Sequence, residues 1–414
     1  MKWNFISRQT LLTLCLLAAL PLQAAEKSVL SLDQALQAAF ANNPDLAVAQ
    51  GGLGVAQGER EQAGLIPNPE LAWEAEDTRR DSRTTTVTLS QTLELGGKRG
   101  ARVEVASQGQ ALAQVQLERQ RNTLRAEVIG AYQGALRAQQ REHLAGQSQA
   151  LAERGLRVAQ GRINAGKASP IEASRAQVFL AEVQLERRRA ADERASAYQR
   201  LAELTGAAYA AFERLEEATE PAPAVPETLA LLERLNETAD LRLAQLQIDQ
   251  GDAALGLEQR RRIPDLTVSI GSQYSATDRE RVNVLGLSMP LPLFDRNQGN
   301  VLAASRRADQ ARDLRNAAEL RLRTELRQAL DQWRTAEQAL VSFDQVILPS
   351  AQRAVDAASR GFEAGKFNFL DVLDAQRTLI SARDQYLQTA TQLTEARVRV
   401  ERVFGDLSAW VPAV

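Results

Sequence analysis

Cysteine and histidine are nearly missing from this 414-residue chain, which holds one of each, Cys15 and His143. Aromatics make up only 5%. Beyond the N-terminus no stretch approaches the about 18 consecutive apolar residues of a membrane-spanning helix. Cys15 falls in a segment, 1–24, that reads as a removable export signal. Lys2 and Arg8 give it a basic start, Leu11–Leu20 an apolar middle and Leu22-Gln-Ala24 a cleavage site. The alternative, a buried helix, suits that pattern less. Leu14 stands before Cys15 where lipid attachment needs a small residue, and the cysteine comes too early. The mature chain is then free of thiols, which excludes disulfides and thiolate metal sites. His143 alone completes no metal site and reads as an ordinary helix residue. No glycine-rich phosphate loop and no nucleophile–base pair is present, and Gly96-Gly97 is too little to make one. The chain therefore reads as neither an enzyme nor a cofactor carrier. Its 50 Lys and Arg, less Lys2 and Arg8, leave 48 against 52 Asp and Glu. That balance of about −4 argues against nucleic acid as a partner. An exported chain of this kind is periplasmic, secreted or inserted as a β-barrel.

The chain does contain a long duplication. Residues 162–177 and 361–376 share Ala-Gly-Lys, an acid five residues after the Lys, and a closing Ala-Gln, at a constant offset of 199. Solenoid units recur every 20–50 residues or so, and this repeat is far longer. The reading is a first repeat over 25–218, a Pro-rich linker over 219–226, a second repeat over 227–407 and a tail over 408–414.

Within each repeat the order is the same. Ser31-Leu-Asp33 starts a helix, Asn42-Asn-Pro44 breaks it, and a second runs to about Gly64. A hairpin at about 70–94 follows, in which Leu71, Trp73 and Ala75, then Val87, Leu89 and Leu93, alternate with polar residues. Helical sequence continues to about Ile163, turns at Ala-Gly-Lys, and runs on from about Pro170 to Leu204. The second repeat has short helices over about 227–262 and a hairpin at about 266–291 with a charged loop, Thr277–Arg281. Helix follows to about Phe362, then the second turn, then helix to about Phe404. Val372, Leu379, Tyr386, Leu393 and Val400, with Ala375, Ala382, Thr389, Ala396 and Val403, form a five-heptad seam. Leu322, Leu326, Leu330, Trp333, Leu340, Phe343 and Ile347 stripe the preceding helix.

Strands of about ten residues with one apolar face suit a transmembrane barrel. A soluble hairpin is the competing reading. Four strands are too few to close a barrel, and open edges are not tolerated in lipid. The membrane reading therefore demands several chains, with the polar faces around a lumen.

This order of elements resembles the TolC-type outer-membrane efflux duct family, over about 30–407. The most specific words are Pro290-Leu-Pro-Leu-Phe-Asp-Arg-Asn-Gln-Gly299 and Asp371-Val-Leu-Asp-Ala-Gln376; Thr92–Arg99 looks like the heavy-metal, cobalt–zinc–cadmium branch. The resemblance implies a mixed, mainly α fold. Three chains would close a twelve-stranded β-barrel in outer-membrane lipid, continued by a long α-helical coiled-coil barrel across the periplasm. It also implies a periplasmic adaptor and, through it, an inner-membrane RND-type pump. Cargo would be divalent metal cations. A duct for drugs, solvents or polypeptide, or a coiled-coil protein without a pore, remain the alternatives.

The resemblance assigns Gly166, Lys167, Ala168, Ser169, Gly365, Lys366, Phe367 and Asn368 to two helical tips that dock the adaptor. The glycines also read simply as turn residues. Asp371 and Asp374, one turn apart, would ring the entrance as a cation gate. By themselves they read as a solvated acidic pair near a helix start. Phe367 stands about where some relatives carry Arg, and Phe362 where they carry Tyr. Glu172 and Arg175 occupy the matching places in the first repeat.

Overall fold

Residues 28–217 and 225–407 are described in the computed structural model. The expected export segment with Cys15, most of the linker and the tail 408–414 lie outside the described residues. The first copy runs β1 (Ser28–Leu30), α1 (Leu32–Asn42), α2 (Pro44–Ala63), β2 (Glu70–Glu76), β3 (Thr84–Leu93), α3 (Lys98–Asn164), α4 (Pro170–Leu204) and β4 (Phe212–Leu215). The second has α5 (Thr228–Glu233), a 3-10 turn at Leu235–Glu237, α6 (Ala239–Arg260), β5 (Leu266–Ser275), β6 (Glu280–Ser288), α7 (Gln298–Ser342), a π turn at Phe343–Ile347, α8 (Leu348–Glu363) and α9 (Phe369–Phe404).

Local chemistry sets the helix ends. Ser31 and Gln34 form a reciprocal capping box at α1. The Asn43 side chain accepts from the amides of Asp45 and Leu46, with Pro44 in the first turn of α2 where its missing N–H costs nothing. At 67 residues α3 spans roughly 100 Å. No such rod buries itself. It packs against α4 on one side and α9 on the other, and α9 packs in turn against α7 and α8.

That arrangement widens the expected seam of α9. Val372, Leu379, Ala382, Ala396 and Val400 are buried, and so are Leu373, Leu387 and Phe404 outside it. A helix with neighbours on both flanks buries a broader face than a two-helix seam. The stripe on α7 holds as far as Phe343 and then fails, since Ile347 is 39% exposed. The π turn is the cause. The Leu348 amide donates to the Phe343 carbonyl, five residues back rather than four. Pro349, next along, has no N–H and excludes an ordinary α turn here. The extra residue carries Leu348 onto the face that Ile347 was expected to hold, beside Val355 and Leu379.

β1 and β4 pair in parallel and were not expected, being too short to show a period of two. The Tyr132 hydroxyl of α3 holds them, sharing its proton between the carbonyls of Leu30 (3.0 Å) and Glu216 (2.7 Å).

The remaining strands make one antiparallel sheet in the order β2-β3-β5-β6. Its register aligns Trp73 with Val87, Leu89 with Ile270 and Ile270 with Leu285, so one face is apolar across all four strands. The opposite face carries Glu74, Thr86, Thr88, Ser90, Ser269 and Gln273. β6 alternates poorly in sequence, yet the pairing puts Leu285 and Leu287 on the common apolar face. Its turn is tighter than expected, because β6 already begins at Glu280. Trp73 is 68% and Leu285 79% exposed, and the outer edges of β2 and β6 have no partner strand among the described residues.

Candidate functional site

The two helical turns lie at the end of the rods away from the sheet. Each ends its helix with a left-handed glycine, Gly166 at φ +66° and Gly365 at φ +74°. Around Gly166 the amide donates to Ile163 O (2.9 Å) and that of Lys167 to Arg162 O (2.8 Å). Gly365 N donates to Phe362 O (3.0 Å) and Lys366 N to Gly361 O (2.8 Å). These paired bonds satisfy the last helical carbonyls, and only glycine takes the required φ without strain. The next helices start at once. Ser169 Oγ accepts from the Ile171 amide ahead of α4. Asn368 Oδ1 accepts from Asp371 N (3.1 Å) while Asp371 Oδ2 accepts from Asn368 N (3.0 Å) ahead of α9. Gly166, Lys167, Ser169, Gly365, Lys366, Phe367 and Asn368 are exposed, and Ala168 is half-buried.

The tips share a backbone path but not a surface. The Phe367 ring lies over Gly361, where an added Cβ would fall 2.1 Å from the ring. The first tip has Arg162 at the place of Gly361 and Ala168 at the place of Phe367. Arg162 turns toward the second hairpin instead. Its Nη1 donates to Phe362 O (2.6 Å), and its guanidinium sits 4.6 Å from the Phe362 ring centre. Phe362 is buried against Phe369, ring centres 5.5 Å apart, in a cluster with Ala159, Phe179 and Val372 that joins both hairpins. Arg377 of α9 adds a 3.5 Å ion pair to Glu182 of α4. The sequence reading missed Arg162 and Gly361. The available signal was the exchange of large and small residues between the two copies.

Asp371 and Asp374 are both exposed and both lie in the first two turns of α9. Their circumstances differ. Asp371 is turned back onto its own helix start by the capping box. The single chain brings the two acids together but leaves any ring to other copies.

A comparison with protein families matches residues 35–207 and 231–406 to the family described as outer membrane efflux protein. The chain belongs to that family. It is 38% identical over 402 residues, 97% of this chain and 96% of the relative, to the cobalt-zinc-cadmium resistance protein CzcC of Cupriavidus metallidurans. It is 29% identical over 327 residues, 77% of this chain and 73% of the relative, to the nickel-cobalt-cadmium resistance protein NccC of Alcaligenes xylosoxydans xylosoxydans. The outer membrane protein VceC of Vibrio cholerae has the same fold, with a TM-score of 0.76 at 20% identity, over 89% of this chain and 94% of that one. The efflux protein is thus an outer-membrane channel component with a long helical part below a β-sheet.

Proposed function

We propose that three copies of this chain close one duct through the outer membrane, and that divalent heavy-metal cations leave the cell through it. The four-stranded sheet carries this reading. Among the described residues its apolar face is bare and both its edges are unpaired. Lipid covers such a face, and neighbouring copies pair such edges, because unpaired backbone groups cost several kcal/mol each in hydrocarbon. The metal cargo is inferred from the resistance proteins it resembles along its length. A periplasmic adaptor docks on the tips at Gly166–Ser169 and Gly365–Asn368, and links the duct to an RND-type pump that supplies the energy. The duct provides a passage and no catalysis. Three Asp371/Asp374 pairs line its entrance and favour cations over anions.

Deleting the gene tests the cargo. Sensitivity to zinc, cadmium and cobalt rises while antibiotic tolerance stays the same; the opposite pattern makes it a drug duct. Replacing Asp371 and Asp374 with Ala lowers the cation preference of the reconstituted duct and raises its conductance. An unchanged current–voltage curve sinks the gate.

A further inference from the structure

At the end away from the rods the sheet closes in two turns, one between β2 and β3 and one between β5 and β6. Approaching them, the register sorts charge by face. Glu76, Thr84, Ser275 and Glu280 form one row across the four strands, on the polar face. The neighbouring row, on the other face, is Ala75, Thr85, Tyr274 and Arg281. The Ala276 amide donates to Arg83 O (3.0 Å), so the ladder runs on past the last paired residues. A period of two then puts Arg83 on the face of Thr85 and Arg281. That face changes character along its length. Nearer the rods it is apolar, with Leu89, Ile270 and Leu285 in one row. The next row toward the turns already pairs Ser272 with Asn283, and the two arginines follow.

The positions that share this face across the four strands include no acid. Arg83 and Arg281 are exposed, and neither guanidinium meets a carboxylate among the described residues. The first turn shows the contrast. There Arg79 donates to Asp77 Oδ2 from Nη2 (2.7 Å) and to Oδ1 from Nε (3.1 Å), so both charges are spent locally. Strand spacing and rise put the backbones of Arg83 and Arg281 roughly 12 Å apart, on either side of β5. Two extended arginine side chains span that gap, with Tyr274 between them. A guanidinium offers a planar fork of donors that matches a phosphate. A tyrosine places its ring against chains and its hydroxyl among headgroups.

We propose that Arg83 and Arg281 bind the phosphate of an anionic lipid headgroup in the outer leaflet, with Tyr274 at the boundary between headgroup and chains. The ligand is a phosphorylated membrane lipid, whose chains lie along the rows of Leu89, Ile270 and Leu285. Free phosphate has the same headgroup chemistry but nothing to cover those rows. The site rests on the outer-membrane duct reading and adds which lipid the far end of the sheet selects. The acids Glu76 and Glu280, on the other face, stay clear of it.

Native mass spectrometry of the full-length protein in detergent, titrated with diphosphoryl lipid A, tests the site. Phosphatase-treated lipid A and inorganic phosphate form the other arms. Removing the phosphates weakens binding by about tenfold, the loss of one or two charge-assisted contacts. This arm uses the unsubstituted protein and so does not depend on a variant folding. Arg83→Gln/Arg281→Gln shows the same weakening on intact lipid A, and Glu76→Gln/Glu280→Gln binds as the unsubstituted protein does. Equal binding of the two lipids, or undiminished binding by the arginine variant, overturns the site. Displacement of the lipid by inorganic phosphate at equal concentration overturns the lipid assignment. The same spectra give the copy number. A trimeric mass without phosphate preference removes the site and leaves the three-copy duct standing. A monomeric mass with the preference intact removes the three-copy duct and leaves the site.

Discussion

The first hairpin reaches its tip through one unbroken helix, Lys98–Asn164, whereas the matching stretch of the second is divided by a π turn at Phe343–Ile347. Ala150 stands in the first copy where Pro349 stands in the second. One missing amide thus accompanies the difference between an unbroken helix and one interrupted by a π turn partway down. The tips diverge in the same sense. Arg162 reaches outward to the other hairpin, while Gly361 and Phe367 fold the second tip onto itself. Duplication supplies two rods of nearly equal length, and a few changes make one reach across to its neighbour and the other fold on itself.

Three pairs of substitutions sharpen or break that contrast. Phe362 is 2% exposed and carries both the Arg162 stack and the Phe369 contact. Phe362→Ala should cost the tip about 3–5 kcal/mol. Ile163→Ala, at the half-buried counterpart, should cost about 1–2 kcal/mol. Hydrogen exchange of the tip amides reads both, and equal losses mean that the second tip is not the anchor. Next in size is Gly361→Val, which displaces the Phe367 ring at about 1–3 kcal/mol. The added change Phe367→Ala should restore most of the loss, and a double variant as unstable as the single rejects the packing account. The smallest effect belongs to the caps. Asp371→Ala removes the reciprocal cap of α9 and should cost about 1 kcal/mol. Glu172→Ala, in the first turn of α4 where Ser169 caps alone, should cost about half as much. Protection of the first-turn amides in α4 and α9 measures the pair.

Much of the molecule was legible because its signals are local. The caps at Ser31 and Asn43, the glycine turns at Gly166 and Gly365 and the alternation of Leu71 and Trp73 with Ala72 and Glu74 each lie within a few residues of what they determine. The β1–β4 pair was not legible, since three- and four-residue strands carry no pattern. Nor was the displacement of Ile347, since a period of 3.6 presumes that no residue is added to the turn. At the tips the reading placed both glycines where the chain reverses. It missed Arg162, whose acceptor lies on the far hairpin.

The amino-acid sequence by itself determined the duplication, the rods, the amphipathic strands and the two sharp turns, because spacing and capping act over a turn or two of chain. Only the tertiary structure decided which strands are neighbours, which edges stay open and where Arg162 places its charge. Those outcomes depend on segments far apart in the chain meeting at a few ångströms, and the sequence records no distance between them.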